Sequence, residues 1–212
     1  MDYSTVWDAK QPLFFLGDYA VSFIELLGTI TGLCSVYFGT KNHNAVWYFG
    51  FVNVVCFGVI FFQIALYSDM LLQIFYFFAT AYGLWLWVQK SVSKENEISR
   101  LSSEEYKNWV LLFSSIFFLF YLFSKTLPPL LSISPASFLH FDAVLSSASV
   151  IATLLMAKRK IETWLLWIVI DFVSIGLYVQ KGVHLIAIEY ALFGLLAIIG
   201  FYSWRKIYST ST

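Results

Sequence analysis

The chain has 212 residues, of which 59% are hydrophobic, 20% aromatic and only 12% charged. Soluble domains carry about 25% charged residues because their surface must be solvated, so this composition excludes an ordinary water-soluble globule and indicates a membrane protein. The formal net charge is zero, which gives no indication of nucleic-acid binding.

The chain begins with residues 1–20, in which aromatic side chains are mixed with Asp and Lys, and we expect this segment to lie at the membrane interface. Seven apolar runs follow, each close to the length of about 20 residues that a helix needs to cross a bilayer. In chain order they are residues 21–38, 46–64, 70–88, 109–123, 139–156, 164–180 and 185–203, of which the fourth is the shortest. The sequence therefore predicts an all-α integral membrane protein with seven transmembrane helices.

An internal repeat is the most informative pattern in the sequence. A shift of 117 residues aligns helices 1–3 with helices 5–7 without a gap and leaves helix 4 as a linker. Equivalent helices are four spans apart, so the two three-helix repeats are predicted to be parallel, an architecture of transporters that hold their solute near the midplane between the halves. The matched pairs are Glu25 with Asp142, Trp47 with Trp164, Gln63 with Gln180, Gly83 with Gly200 and Trp87 with Trp204.

The Lys and Arg residues predict how the helices are oriented. The loops on the side of the N-terminus carry Lys10, Lys125 and Lys181, whereas the opposite side carries ten Lys and Arg residues. This asymmetry places the N-terminus outside and the C-terminus in the cytoplasm of a bacterial inner membrane. The predicted organisation is an interfacial segment 1–20, a first repeat 21–88, a connecting region 89–138, a second repeat 139–204 and a cytoplasmic tail 205–212. The connecting region holds a cytoplasmic loop, the linker helix and an outer loop, 124–137, that contains prolines.

Asp171 is the acidic residue closest to the middle of a predicted span. An ionised side chain at the centre of a transmembrane helix costs about 2.5–3.5 kcal/mol on insertion scales, so its presence requires a reason. Trp164, Trp167 and Asp171 lie at positions i, i+3 and i+7, on one face of helix 6. Two indoles and a carboxylate are suited to a flat organic cation. The alternative is that Asp171 bonds to a neighbouring helix and the tryptophans serve in packing or at the membrane interface.

Other polar and aromatic residues within the spans are further candidates for solute binding. Asn53 lies one position before the repeat counterpart of Asp171, and a buried amide must be paired with protein, water or ligand. For Asn53 and Gln73 the alternative is a hydrogen bond between helices, and for the aromatic residues it is packing. The full set of predicted binding residues is Trp164, Trp167, Asp171, Asn53, Gln73, Tyr76, Tyr82, Glu189 and Tyr190, with Thr80 on the face of Gln73 and Tyr76.

The sequence offers no sign of a metal, cofactor or catalytic site. The three histidines, His43, His140 and His184, lie at span edges or in loops without ligand spacing. No phosphate-binding loop and no hydrolase motif occurs, so we predict that the protein is not an enzyme. The acids Glu25 and Asp142 lie near the outer ends of helices 1 and 5, where a structural contact is as good an explanation as solute binding.

Two segments resemble the PnuC family of vitamin transporters. The stretch 61–73, FFQIALYSDMLLQ, resembles the family signature F-F-Q-x-x-L-Y-x-x-x-x-L-Q, and the stretch 162–171, ETWLLWIVID, resembles its segment E-N-W-L-L-W-x-x-x-[N/D]. The stretch 24–28, IELLG, and Asn53 also fit the family pattern. The resemblance covers both predicted repeats, and two motifs in the right order make it specific.

The resemblance implies a 3+1+3 arrangement of helices related to the SWEET sugar transporters, a homotrimer in lipid, and facilitated diffusion of a vitamin that a cytosolic kinase then traps. Family substrates include nicotinamide riboside, thiamine, riboflavin and deoxynucleosides. This chain departs from the pattern at Thr163, where Asn is usual, and at Asp171, where nicotinamide riboside carriers similar to it tend to have Asn. Because a carboxylate can pair with the aminopyrimidine of thiamine, the sequence favours thiamine slightly over nicotinamide riboside.

The leading hypothesis is a carrier that works by alternating access, with a midplane site lined by the residues named above. Riboflavin or a nucleoside is the alternative substrate, and a small-solute channel is the alternative mechanism. A channel would need a polar stripe along the full depth of several helices, and here the polar residues are concentrated near mid-depth.

Overall fold

The computed structural model describes residues 7–17, 19–64, 67–92, 97–130, 139–180 and 184–211. Within these ranges a two-stranded antiparallel hairpin precedes seven α-helices. The strands are β1 (Pro12–Leu16) and β2 (Tyr19–Ser22), and the helices are α1 (Phe23–Thr40), α2 (Ala45–Gln63), α3 (Tyr67–Val92), α4 (Ser103–Leu130), α5 (Leu139–Ala157), α6 (Glu162–Gln180) and α7 (His184–Ser211). The seven predicted helices and the all-α class are confirmed.

Six of these helices contain, within the described residues, a segment long and apolar enough to cross a membrane. They are Phe23–Thr40, Ala45–Gln63, Ser103–Phe123, His140–Ala157, Glu162–Gln180 and Ala187–Thr210. Many large apolar side chains point away from the interior, including Leu111 of α4, which is 66% exposed. Because such side chains are costly in water and stable in hydrocarbon, this distribution is that of a multi-pass membrane protein.

The helices form two compact units. Unit 1, Met1–Glu95, holds the hairpin and α1–α3, with α2 packed against both α1 and α3. Unit 2, Asn96–Thr212, holds α4–α7, in which each helix packs on the next one in the chain. Short connections between antiparallel helices account for this order of neighbours.

The fourth apolar run is the shortest in the sequence, but α4, the helix that contains it, has 28 residues. Its start is fixed by a capping box, in which the backbone N–H of Glu105 donates to Ser102 Oγ (3.2 Å) and the N–H of Ser102 donates to Glu105 Oε2 (2.8 Å). The polar residues after Ser102 therefore continue the helix beyond the apolar run. At its other end α4 extends through Pro128 and Pro129 to Leu130, into the segment predicted as a loop.

The hairpin was not predicted. Its strands pair Phe14 with Val21 and Leu16 with Tyr19, and the turn contains Gly17 with φ +63°. Every residue of β1 is exposed, so the strand lacks the alternation of apolar and polar residues by which a half-buried strand is recognised. The hairpin leads directly into α1, whose first turn is capped by Ser22.

Gln63, the last residue of α2, attaches the segment that precedes β1 to this helix. Its Nε2 donates to the carbonyl oxygen of Trp7 (2.8 Å), and its Oε1 accepts from the N–H of Ala9 (2.7 Å). One amide side chain thus holds two backbone groups that are 54 and 56 residues away.

We expect Gln63→Ala to release this segment, because both hydrogen bonds are lost and each contributes about 0.5–1.5 kcal/mol. Hydrogen exchange of the Ala9 amide should accelerate about tenfold or more. Gln180→Ala is the matched control, since Gln180 is exposed at the end of α6 and makes no hydrogen bond in the described part of the chain. Unchanged exchange at Ala9 in the Gln63 variant would contradict the attachment.

Positions 117 residues apart in the two units share local geometry. The turns after α1 and α5 both place a non-glycine residue in the left-handed region, Asn42 with φ 52° and Arg159 with φ 53°. In each turn that residue's N–H donates to a carbonyl three residues back, that of Gly39 (2.9 Å) and that of Met156 (3.0 Å). These matched contacts support the predicted repeat.

The same spacing relates two buried tryptophan pairs. Trp47 meets Trp87 edge-on at 5.4 Å and 89°, and Trp164 meets Trp204 at 5.5 Å and 88°. The first tryptophan of each pair lies against a glycine of the following helix. A Cβ added to Gly83 would be 2.4 Å from the Trp47 ring, and one added to Gly200 would be 2.6 Å from the Trp164 ring. Each unit therefore contains one close helix crossing of the same construction.

Candidate functional site

Asp171 is the central residue of the 19-residue helix α6, and only 3% of it is exposed. Its carboxyl group makes no hydrogen bond or ion pair within the ranges that the structure describes. Gly194 of α7 faces it so closely that an added Cβ would lie 3.4 Å from the Cβ of Asp171. A buried carboxylate without a protein partner is costly, and a cationic ligand would offset that cost.

The two tryptophans predicted beside Asp171 differ in their surroundings. Trp164 is completely buried inside unit 2, between Gly200 and Trp204, and its indole Nε1 has no hydrogen-bond partner among the described residues. Trp164 therefore has a packing role in this conformation, which is the alternative that the sequence left open. Trp167 is only partly buried and lies one turn before Asp171 on the same face. It is the indole with surface available to a ligand.

Ser174 was missed as a candidate from sequence. It lies one turn after Asp171 on α6 and is 3% exposed. The α6 face thus carries an indole, a carboxylate and a hydroxyl, at Trp167, Asp171 and Ser174. The i+3 spacing from Asp171 was the signal that could have identified it.

Asn53, next to the centre of α2, joins two helices of unit 1. Its Nδ2 donates to the carbonyl oxygen of Gly28 in α1 (2.9 Å). The amide is therefore satisfied in part by the hydrogen bond between helices that the sequence offered as the alternative. Its Oδ1 makes no hydrogen bond within the described part of the chain, so an acceptor remains for a ligand or for water.

The α3 candidates occupy different environments. Gln73 lines a groove of about 400 Å³ between α2 and α3 whose other lining residues are apolar or glycine. Thr80 is 5% exposed and contacts Gly50 of α2. Tyr76 meets the ring of Phe75 at 5.6 Å, and Tyr82 is 39% exposed and stacks on Trp85 at 6.1 Å. Gln73 and Thr80 therefore have polar groups close to α2.

The α7 candidates lie near the far end of α6. Tyr190 stacks on Tyr178 of α6 at 5.4 Å with an interplanar angle of 17°. Glu189, beside it, is partly buried. Unit 2 therefore brings together a carboxylate at mid-helix and an aromatic pair about two turns further along α6.

This arrangement suits binding rather than catalysis. Among the described residues no group of three or more His, Cys, Asp or Glu is placed to hold a metal ion. The α6 face instead offers a negative charge, a hydroxyl and an aromatic face, which together fit a flat cation that bears hydroxyl groups.

Comparison with known proteins gives one family. A family model described as nicotinamide mononucleotide transporter matches residues 22–206. The nicotinamide riboside transporter PnuC of Escherichia coli K12 is 29% identical over 208 residues, covering 89% of this chain and 87% of that protein. The nicotinamide riboside transporter PnuC of Neisseria mucosa is 23% identical over 221 residues, covering 96% of this chain and 82% of that protein.

A solved structure has the same fold. The crystal structure of the vitamin B3 transporter PnuC matches with a TM-score of 0.63 and 19% sequence identity, covering 90% of this chain and 83% of that one. The likeness therefore extends over most of both chains.

Proposed function

The chain belongs to the nicotinamide mononucleotide transporter family, and from this membership we propose that it carries nicotinamide riboside across the bacterial inner membrane. The family match begins just before α1 and ends within α7, so it spans all seven helices. The chain is accordingly a membrane transporter and not an enzyme. The observation that carries a flat organic cation as the class of solute is the buried carboxylate of Asp171, which lacks a protein partner within the described ranges.

Nicotinamide riboside combines the features that the α6 face is suited to bind. Its pyridinium ring is flat and permanently positive, which suits the face of Trp167 and the charge of Asp171. Its ribose hydroxyls can donate to the carboxylate or bond to Ser174. The relatives named for this solute support placing it first, which reverses the order favoured by the sequence.

Thiamine is the second candidate, because of the residue at position 171. Asp171 stands where similar nicotinamide riboside carriers tend to have Asn, and a carboxylate accepts two hydrogen bonds from an aminopyrimidine with charge assistance. Thiamine is also a flat cation, so Trp167 would serve it in the same way.

The proposed transport mechanism is facilitated diffusion with alternating access, followed by phosphorylation by a cytosolic kinase. The matched turns and tryptophan pairs of α1–α3 and α5–α7 support two repeats, which is an architecture of such carriers. The ten-to-three distribution of Lys and Arg supports an outer N-terminus and a cytoplasmic C-terminus. The homotrimer remains a prediction of the family resemblance. The sequence also predicts solute contacts by further residues, namely Asn53, Gln73, Tyr76, Tyr82, Glu189 and Tyr190.

Titration calorimetry of the purified protein against nicotinamide riboside, thiamine and riboflavin tests the choice of solute. We expect saturable binding of nicotinamide riboside, weaker binding of thiamine and none of riboflavin, because riboflavin is uncharged and larger. Tighter binding of thiamine would make thiamine the solute. Binding of riboflavin alone would contradict the role of Asp171 as the partner of a cation.

A further inference from the structure

A pocket with arginine side chains lies at the opposite end of unit 2 from the Tyr178–Tyr190 pair. Its volume is about 340 Å³, within the range of small-molecule sites, and its lining consists of Arg100, Ile161, Phe201, Arg205, Tyr208 and Ser209. Phe201, Arg205 and Tyr208 share one face of α7, at positions i, i+4 and i+7. Ile161 lies just before α6 and Arg100 just before α4, so three parts of unit 2 meet here.

The lining is rich in positive charge and contains no acidic side chain. Arg205 is exposed and forms no ion pair within the described part of the chain. Arg100 has one acidic neighbour, Glu162, at 3.8 Å from its Nε, but 66% of the Arg100 side chain is exposed, so that pair is weak. Glu162 itself accepts from the N–H of Leu101 (3.2 Å) and, at 3.5 Å, from the hydroxyl of Tyr106. Both guanidinium groups therefore retain capacity for an anion.

The pocket also has an apolar part. Phe201 and Ile161 form wall surface next to the two arginines. A volume of about 340 Å³ is larger than a bare phosphate ion needs, so a ligand that fills the pocket has a body as well as a charged group. The planar guanidinium groups of arginine match phosphate oxygens with paired hydrogen bonds.

We propose that this pocket binds a phosphate ester, with Arg205 and Arg100 on the phosphate and the remainder of the ligand against Phe201 and Ile161. The chemistry is shared by a soluble nucleoside monophosphate and by the phosphodiester of an anionic lipid headgroup. The pocket is separate from the α6 face. Ile161 immediately precedes α6 and Asp171 is its central residue, so the two are ten positions apart, which is about 15 Å along a helix axis.

The proposal is tested by binding measurements on the full-length chain in detergent, with adenosine monophosphate, which lacks a pyridinium cation, as the soluble probe and dioctanoyl phosphatidylglycerol as the lipid probe. Arg205→Gln and Arg100→Gln should each weaken binding about tenfold or more, because a charge-assisted hydrogen bond to phosphate is lost. Lys206→Gln is the matched control: it removes the same charge from the next residue of α7, which is exposed and does not line the pocket. It should change the affinity by less than about twofold.

Asp171→Ala distinguishes binding in this pocket from binding at the solute site. It should leave the affinity for the phosphate probe unchanged, because Asp171 does not line the pocket. Saturable binding of the nucleotide alone assigns the pocket to a soluble phosphate ester, and binding of the lipid alone assigns it to a headgroup. The proposal is overturned if neither probe binds, if Lys206→Gln weakens binding as much as Arg205→Gln, or if Asp171→Ala abolishes it.

Discussion

Asp171→Ala is expected to abolish binding of nicotinamide riboside while the protein still inserts into the membrane. The carboxylate lies at the centre of α6, 3% exposed and without a protein partner in the described ranges, so the cation of the solute is its expected counter-charge. Removing one partner of a desolvated charge pair costs about 2–5 kcal/mol, which corresponds to a loss of about 30-fold to several thousand-fold in affinity. Calorimetric titration of the wild type and the variant measures this loss.

Asp171→Asn is the graded control for this experiment. It keeps the shape and one acceptor oxygen and removes the charge, so we expect partial binding of nicotinamide riboside and a larger loss for thiamine. Trp167→Ala should also remove most of the affinity, since it deletes the aromatic face one turn away. Wild-type affinity in both Asp171→Ala and Trp167→Ala, with normal circular dichroism, would refute the assignment of the α6 face as the solute site.

Gly200→Ala and Gly83→Ala are expected to destabilise the protein strongly. The added methyl groups would lie 2.6 Å and 2.4 Å from the rings of Trp164 and Trp47, well inside van der Waals contact. Those rings are 0% and 4% exposed, so they cannot move aside without disturbing the interior of their unit. Overpacking of this kind costs about 1–3 kcal/mol or more.

Gly176→Ala is the matched control, because a Cβ at that position meets nothing within 4 Å. Alanine favours helix over glycine by about 0.8–1 kcal/mol, so this variant should be neutral or slightly stabilised. Thermal unfolding in detergent should therefore give a midpoint lower by about 4 °C or more for Gly200→Ala and Gly83→Ala, and unchanged or higher for Gly176→Ala. If Gly200→Ala unfolds at the same temperature as Gly176→Ala, the close crossing of α6 and α7 at Trp164 is wrong.

Hydropathy was sufficient to predict the seven helices, because burial in hydrocarbon requires long apolar segments with internal hydrogen bonds. It did not predict the true length of α4, since the apolar run records the thickness of the membrane and the helix continues outside it. The capping residues Ser102 and Glu105 carried that information. The hairpin Pro12–Ser22 could not be recognised from periodicity, because β1 is exposed on both faces.

Asp171 could be identified as a candidate site residue from the cost of a charge in the membrane alone. The different surroundings of Trp164 and Trp167 could not be predicted, because both residues lie on the same helical face. That pattern does not tell which of them packs against the neighbouring helix. The repeat did contain a clue. The trio Trp164, Gly200 and Trp204 recurs 117 positions earlier as Trp47, Gly83 and Trp87, and a trio conserved between both units indicates packing rather than contact with a single solute.

Counterflow in proteoliposomes is the most direct test of a carrier for a flat vitamin cation that depends on Asp171. Vesicles that contain the purified protein are loaded with unlabelled nicotinamide riboside and diluted into a trace of labelled solute. Such a carrier should give transient, saturable accumulation of label with the wild type and none with Asp171→Ala. Equal accumulation in wild-type, Asp171→Ala and protein-free vesicles would contradict it.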